Sequence, residues 1–298
     1  MRSKIWSRRS FLDKGVKSAA ALSLLRTLRA QTGSAAILTH EQEEGPYYVD
    51  QELLRSDIRE GLAGKPLTLR MQFIDVVKGT PLRQAAVDIW HCDASGIYSG
   101  YTQASMQMGP PPRGNRSGSD DGPPPPPDGD FGPPPGGDFG PPPGGGGPPS
   151  HKPTDQKTFL RGIQITDDVG IVEFSTIFPG CYMGRTNHVH MKVHIGGHAS
   201  GHYYAGGHVS HTGQVFFPEE ISTAVVAAEP YASHRIHRTT LEEDHVFSDQ
   251  NGSDSMANIK LVSGEKSYLA TVTLGVNPDV TPKPVNGFGG PPPRRPQS

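Results

Sequence analysis

The chain has 298 residues, enough for one large domain or two small ones, and its 34% hydrophobic content is diluted by 37 Gly and 30 Pro concentrated in particular segments. The formal charge of −2 hides an asymmetry: residues 1–30 hold eight Lys/Arg and one Asp, leaving 20 basic residues against 29 acidic, a balance of −9. That balance argues against nucleic acid as a partner, and no run reaches the roughly 18 apolar residues of a membrane span.

The basic N-terminus contains Ser7-Arg8-Arg9-Ser10-Phe11-Leu12, followed by a short, mildly apolar run from Ala19 to Leu25 and by Arg26 and Arg29. This pattern resembles a twin-arginine export signal over residues 1–36, with cleavage near 30–36, and implies a periplasmic or extracellular protein. The structural alternative is an amphipathic first helix of the folded domain. The twin-arginine route carries folded proteins, often with a metal already inserted.

From Ile37 the chain runs through Gly- and Pro-punctuated loops, including Glu44-Gly45-Pro46-Tyr47-Tyr48. Leu67, Leu69, Met71 and Phe73 alternate with polar residues and predict a first strand. A turn at Lys78–Pro81 leads to a second strand, Ala85–Cys92, which enters a loop carrying Tyr98 and Tyr101. Residues 109–150 differ in kind. They hold Pro123–Pro127 and an eight-residue direct repeat, Asp130–Gly137 and Asp138–Gly145, a composition that cannot bury enough apolar surface to offset its ordering entropy. This segment is expected to be a disordered insertion, and the similar tail at 283–298 to be frayed. Further strands are expected at 170–178, 187–195, 213–217, 258–262 and 267–276, with one helix at 218–228 that starts on Pro218-Glu219-Glu220. Short strands between turn clusters predict an all-β domain over 37–282, an antiparallel β-sandwich with long loops and little helix.

The chemistry concentrates between Pro179 and His190. From His188 to Ile195, polar residues alternate with Val189, Met191, Val193 and Ile195, the signature of a half-buried strand. His188 and His190 then share a face, with Cα atoms roughly 6.5–7 Å apart, close enough for two imidazoles to meet one metal ion. Tyr182, in a Gly-Cys-Tyr-Met-Gly turn, and Arg185 stand just before them. Singly, each has an ordinary reading: a satisfied strand histidine, an aromatic packed on a turn. Together they favour a metal site. His194, His198, His202, His208 and His211 fit no ligand spacing and are expected in a solvated, Gly-rich run. Cys92 and Cys181 are the only cysteines, and the sequence leaves a bridge between them open.

Several stretches occur together in a telling order: Glu44–Tyr48, Val87-Asp-Ile-Trp-His-Cys-Asp-Ala-Ser-Gly-Ile-Tyr-Ser99, Phe159-Leu-Arg-Gly162, Phe178-Pro-Gly-Cys-Tyr182, Arg185-Thr-Asn-His-Val-His190 and His211-Thr-Gly-Gln-Val-Phe-Phe217. Over about residues 40–275 the chain resembles the intradiol ring-cleavage dioxygenases, and most closely their exported single-chain members. The resemblance implies a non-haem Fe(III) centre held by Tyr98, Tyr182, His188 and His190, with Arg185 and Gln214 stabilising charge on the bound substrate. It further implies cleavage of a catechol-type diol by O2, between the two hydroxylated carbons, to a muconate-type diacid without an external reductant. Phenolates are hard donors that suit ferric iron. Two other readings are an inactive β-sandwich that binds catechol-bearing ligands or polysaccharide, and a His-rich metal-buffering protein. Ring substituents and oligomeric state are left open by the residues, a homo-oligomer being allowed.

Overall fold

The computed structural model describes residues 37–50, 53–107, 152–262 and 266–285. The expected export signal, the Pro/Gly-rich insertion and most of the tail lie outside these residues.

Strand β1 (Pro66–Asp75) is the axis of the first sheet, because its alternation gives it one wholly apolar face: Leu67, Leu69, Met71 and Phe73 are all buried. In chain order β2 (Thr80–Pro81) closes the turn after it, and β3 (Ala86–Trp90) starts the second sheet. A short helix α1 (Thr102–Gln107) is followed, beyond the insertion, by β4 (Arg161–Ile165), β5 (Ile171–Ile177) and β6 (His188–Ile195). A small hairpin of β7 (His198–Ser200) and β8 (Tyr203–Ala205) precedes β9 (His208–Phe216). Helices α2 (Glu219–Val226) and α3 (His245–Asp249) then lead to β10 (Asn258–Val262) and β11 (Ser267–Val276).

One sheet runs β10-β11-β1-β2, with β5 also paired to β1; the other runs β4-β3-β6-β9. Their facing sides form one core: Leu69, Met71 and Phe73 from β1, Val87 and Ile89 from β3, Phe174 from β5, Val189, Met191 and Val193 from β6, and Val272 and Leu274 from β11. The expected all-β sandwich is therefore present, with little helix. One pairing departs from an all-antiparallel arrangement: β1 and β11 run parallel, Leu67 opposite Tyr268 through Asp75 opposite Val276. A parallel neighbour needs a crossover, and here nearly the whole domain lies between the two strands. Among the described residues no helix is long and apolar enough to cross a membrane.

Most expected strands lie where the periodicity puts them. Three differences have clear causes. Strand β4 reads Arg-Gly-Ile-Gln-Ile and hides its alternation behind a buried Arg161 and a glycine. Strand β9 starts at His208 rather than Gly213, so His211 is wholly buried, and His194 on β6 is also buried, instead of both lying in a solvated loop. His198 and His202 are exposed as expected. Finally, β6 is not half-buried. Seven of its eight residues are buried because its polar face has a second cover of its own.

The two faces of β1 predict different mutational costs. Phe73→Ala leaves a void in the inter-sheet core and is expected to cost about 3–5 kcal/mol in urea unfolding. Arg70 pairs with Glu173 directly across β5 on the half-exposed outer face, at 2.8 Å. Arg70→Ala is expected to cost no more than about 1 kcal/mol.

Candidate active site

Because β6 alternates, Val189, Met191 and Val193 enter the core while His188, His190, Lys192 and His194 turn outward. That outward face is sealed by three pieces of chain: residues 41–49, the loop 91–105 and the turn 179–187. The first lies along β9, where Gln42 N–H donates to Thr212 O at 2.9 Å and Gln42 Oε1 accepts from Gln214 N–H at 2.7 Å. Buried Arg161 ties the first to the second. Its Nη2 donates to Tyr47 O at 2.7 Å and to Ser99 O at 2.6 Å, and its Nε donates to Ser99 Oγ at 2.9 Å. The third sits directly on the second: Gly180 N–H donates to Asp93 O at 3.2 Å, and a Cβ at Gly180 would stand 2.2 Å from that same oxygen.

These pieces bring four donor side chains together. His188 Nε2 lies 3.0 Å from His190 Nε2, 3.4 Å from the Tyr98 hydroxyl and 3.5 Å from the Tyr182 hydroxyl. All four residues are at most 9% exposed. His188 Nδ1–H donates to Thr186 O at 2.6 Å, which leaves the Nε2 lone pair facing the other three. His190 is fixed differently. Its ring stacks on Trp90 with centroids 5.0 Å apart and planes 5° from parallel, and its Nδ1 has no hydrogen-bond partner. Gly45 packs against the same imidazole, with a Cβ there standing only 3.0 Å from His190 Cε1.

Burial, and then Arg185, holds both imidazoles well below their usual pKa, so both are neutral. Burial pushes both phenols up. A cation would reverse that for the phenols, because it favours the phenolate. Imidazole nitrogens bind an ion at about 2.0–2.1 Å, and two that stand 3.0 Å apart, as these do, can both reach one ion. Two phenols and two imidazoles also match the hard oxygen and nitrogen donors that ferric iron takes. The residues therefore fit the metal. Among the described residues no group of three or more His, Cys, Asp or Glu is placed to hold one. The pair on β6 stands instead beside two tyrosines.

Tyr101 is not part of the set: its hydroxyl donates to Tyr48 O at 3.1 Å. Arg185 is 4% exposed, with Nε 3.0 Å from Asp244 Oδ2 and Nη1 3.7 Å from Glu43 Oε1. Its Nη2 donates to Gln214 Oε1, and Gln214 Nε2 donates in turn to Glu43 O at 2.9 Å. Gln214 thus stands behind Arg185, with both ends of its amide engaged. Cys92 and Cys181 are both buried and unbonded. A cavity of about 210 Å³ touches Cys181, His234 and Arg238, and none of the four donors lines it.

Sequence reasoning missed Asp244, Glu43, Trp90 and Arg161 as builders of this site. Trp90 and Arg161 lay inside stretches that were recognisable as a set, and Glu43 adjoins one. Asp244 carried only a helix-start signal, an Asp ahead of His245-Val246-Phe247.

The sandwich carries a buried cluster of two histidines and two tyrosines on the outer face of one sheet. Comparison with solved structures identifies the family. An intradiol ring-cleavage dioxygenase from Tetranychus urticae is 31% identical, covering 83% of this chain and 98% of its own, with a TM-score of 0.62. The dioxygenase Tetur07g02040 is also 31% identical, covering 83% of this chain and 97% of its own, at 0.61. No protein-family model and no curated protein matches. The chain belongs to the intradiol ring-cleavage dioxygenases, oxidoreductases of the ring-cleaving type.

The contact at Gly45 gives a direct test of the cluster. Its φ of +74° is strained for any other residue, and the added methyl meets His190. Gly45→Ala is expected to fold, with unfolding shifted by roughly 1–3 kcal/mol, and to hold clearly less metal per chain by elemental analysis. Full metal content would show that His190 tolerates displacement.

Proposed function

We propose that the chain is an exported ferric enzyme that cleaves a catechol-type diol with O2, between the hydroxylated carbons, to a muconate-type diacid. The observation that carries this is the convergence of Tyr98, Tyr182 and His190 on His188 Nε2 within 3.5 Å, among buried aromatic rings. Ferric iron bound there would act as a Lewis acid that takes both diol oxygens and draws electron density from the ring, so that it reacts with O2. No reductant is implied.

The chain's own residues do the rest. Thr186 O fixes the His188 tautomer, and Trp90 fixes the plane of His190, so neither ligand has to reorganise. A cation held between Tyr98 and Tyr182 would favour their phenolate forms, which burial alone disfavours. Tyr47, Tyr98, Tyr101 and Tyr182 pack ring against ring, Tyr47 stacking on Tyr98 at 4.5 Å, and keep bulk water from the cluster. Arg185 supplies a fixed positive charge in this desolvated space, where negative charge on the substrate is worth most to stabilise. The N-terminal Arg8-Arg9 pattern supports delivery outside the cytoplasm by the twin-arginine route.

Purified protein should hold about one iron per chain and be coloured by phenolate-to-iron charge transfer, a band that Tyr98→Phe and Tyr182→Phe should each alter. Oxygen uptake with a panel of catechols, followed by product analysis, tests the reaction. A colourless zinc protein would sink it. Arg185→Ala should keep iron and colour yet turn over roughly a hundredfold more slowly or worse, and Arg185→Lys should recover only part. For export, Arg8→Lys with Arg9→Lys keeps the charge but loses the paired guanidinium groups, and should leave iron-loaded protein in the cytoplasm. Undiminished appearance outside would point to another route.

A further inference from the structure

We infer that Asp244 is a positioning residue, one carboxylate that sets both the guanidinium of Arg185 and the segment that orients His188. The inference rests on the reading of Arg185 given above and goes beyond it, since Asp244 touches neither substrate nor metal.

Asp244 caps helix α3. One of its oxygens accepts from Val246 N–H at 2.9 Å and from Phe247 N–H at 3.3 Å. An N-cap asks for no more than this, and Ser, Thr or Asn supply it about as well. The other oxygen accepts from Thr186 N–H at 2.8 Å and from Arg185 Nε at 3.0 Å, and Nε also lies 3.2 Å from the capping oxygen. Only an ionised carboxylate offers enough acceptor positions for all of these donors at once. Its side chain is fully buried, so no water takes over any of them.

The geometry shows what this achieves. Arg185 Nε is bound on one side and Nη2 donates to Gln214 on the other, which fixes the plane of the fork. Holding Thr186 N–H fixes the same residue whose carbonyl accepts from His188 Nδ1 at 2.6 Å. The guanidinium and one imidazole of the cluster are thus referred to a single rigid point, supplied by a helix remote in sequence.

The test uses the iron-loaded protein with Asp244→Asn and Asp244→Ser. Both can cap α3, so thermal unfolding should change little, but neither can bind Arg185 Nε and Thr186 N–H together. Turnover is expected to fall about ten- to a hundredfold in each, the range for losing a charged hydrogen bond, with KM little changed and iron near one per chain. Combining either with Arg185→Ala should add little to the loss from Arg185→Ala alone, because the two act as a unit. Normal turnover in both variants beside a crippled Arg185→Ala would overturn the role of Asp244 and leave Arg185 standing. Near-normal turnover in Arg185→Ala would overturn both. Unfolded, iron-free protein from both Asp244 variants would also overturn the inference, by making Asp244 a structural support and nothing more.

Discussion

Everything around the site follows from one constraint: β6 has polar side chains on a face that water does not reach. His188, His190, Lys192 and His194 are all buried, and buried polar groups are costly unless bonded. The sandwich needs only the other face of this strand. The outer face has to be closed by chain that brings its own partners, and the pieces at 41–49, 91–105 and 179–187 do so with backbone amides, carbonyls and aromatic rings. Arg161 locks two of them to each other from below. Burial pushes its own pKa down, to about 10, so it still carries its charge at neutral pH.

The two histidines show two ways of fixing an imidazole. His188 is held by a hydrogen bond to Thr186 O, the usual device for orienting an imidazole. His190 has no such bond. It is clamped by shape, between the indole of Trp90 and the bare backbone of Gly45. Behind Trp90 the column continues: Tyr48 tilts against the indole at 4.9 Å, and Lys192 Nζ lies 3.6 Å from the centre of the Tyr48 ring while pairing with Glu44 at 2.5 Å. Glu44, Gly45 and Tyr48 therefore belong to one packing unit with His190. That is a physical reason for the compact Glu-Gly-Pro-Tyr-Tyr stretch.

Legibility followed the range of the interaction. Period-2 alternation in β1, β6 and β11 reflects neighbours on the same strand, so these elements, their inward faces and the pairing of His188 with His190 could be read directly. Tyr98 came from its place in a recognisable set of stretches, since nothing local tells it from Tyr101 three residues on. The cover over the outer face could not be read. Arg161 looks like a surface arginine, and its partners Tyr47 and Ser99 are brought to it only by the fold. Asp244 looks like an ordinary cap, because the bond to Arg185 joins residues 59 positions apart. The parallel pairing of β1 with β11 likewise depends on how the whole chain closes, not on either strand alone.

The balance of charge in the buried layer also bears on the site. With both phenols ionised, the immediate group consists of two phenolates, the carboxylates of Glu43 and Asp244, and the guanidinium of Arg185, the imidazoles being neutral. Its net charge is −3. Nearby, Lys192 pairs with Glu44, and burial pushes Asp88 up to about 7 beside Arg161. A buried charge that size is tolerable only against a matching cation. A cation held by the cluster would offset that charge and favour the phenolate forms of Tyr98 and Tyr182. Asp244 therefore bears on the site twice, through the geometry it imposes on Arg185 and through the negative charge it adds to the buried layer.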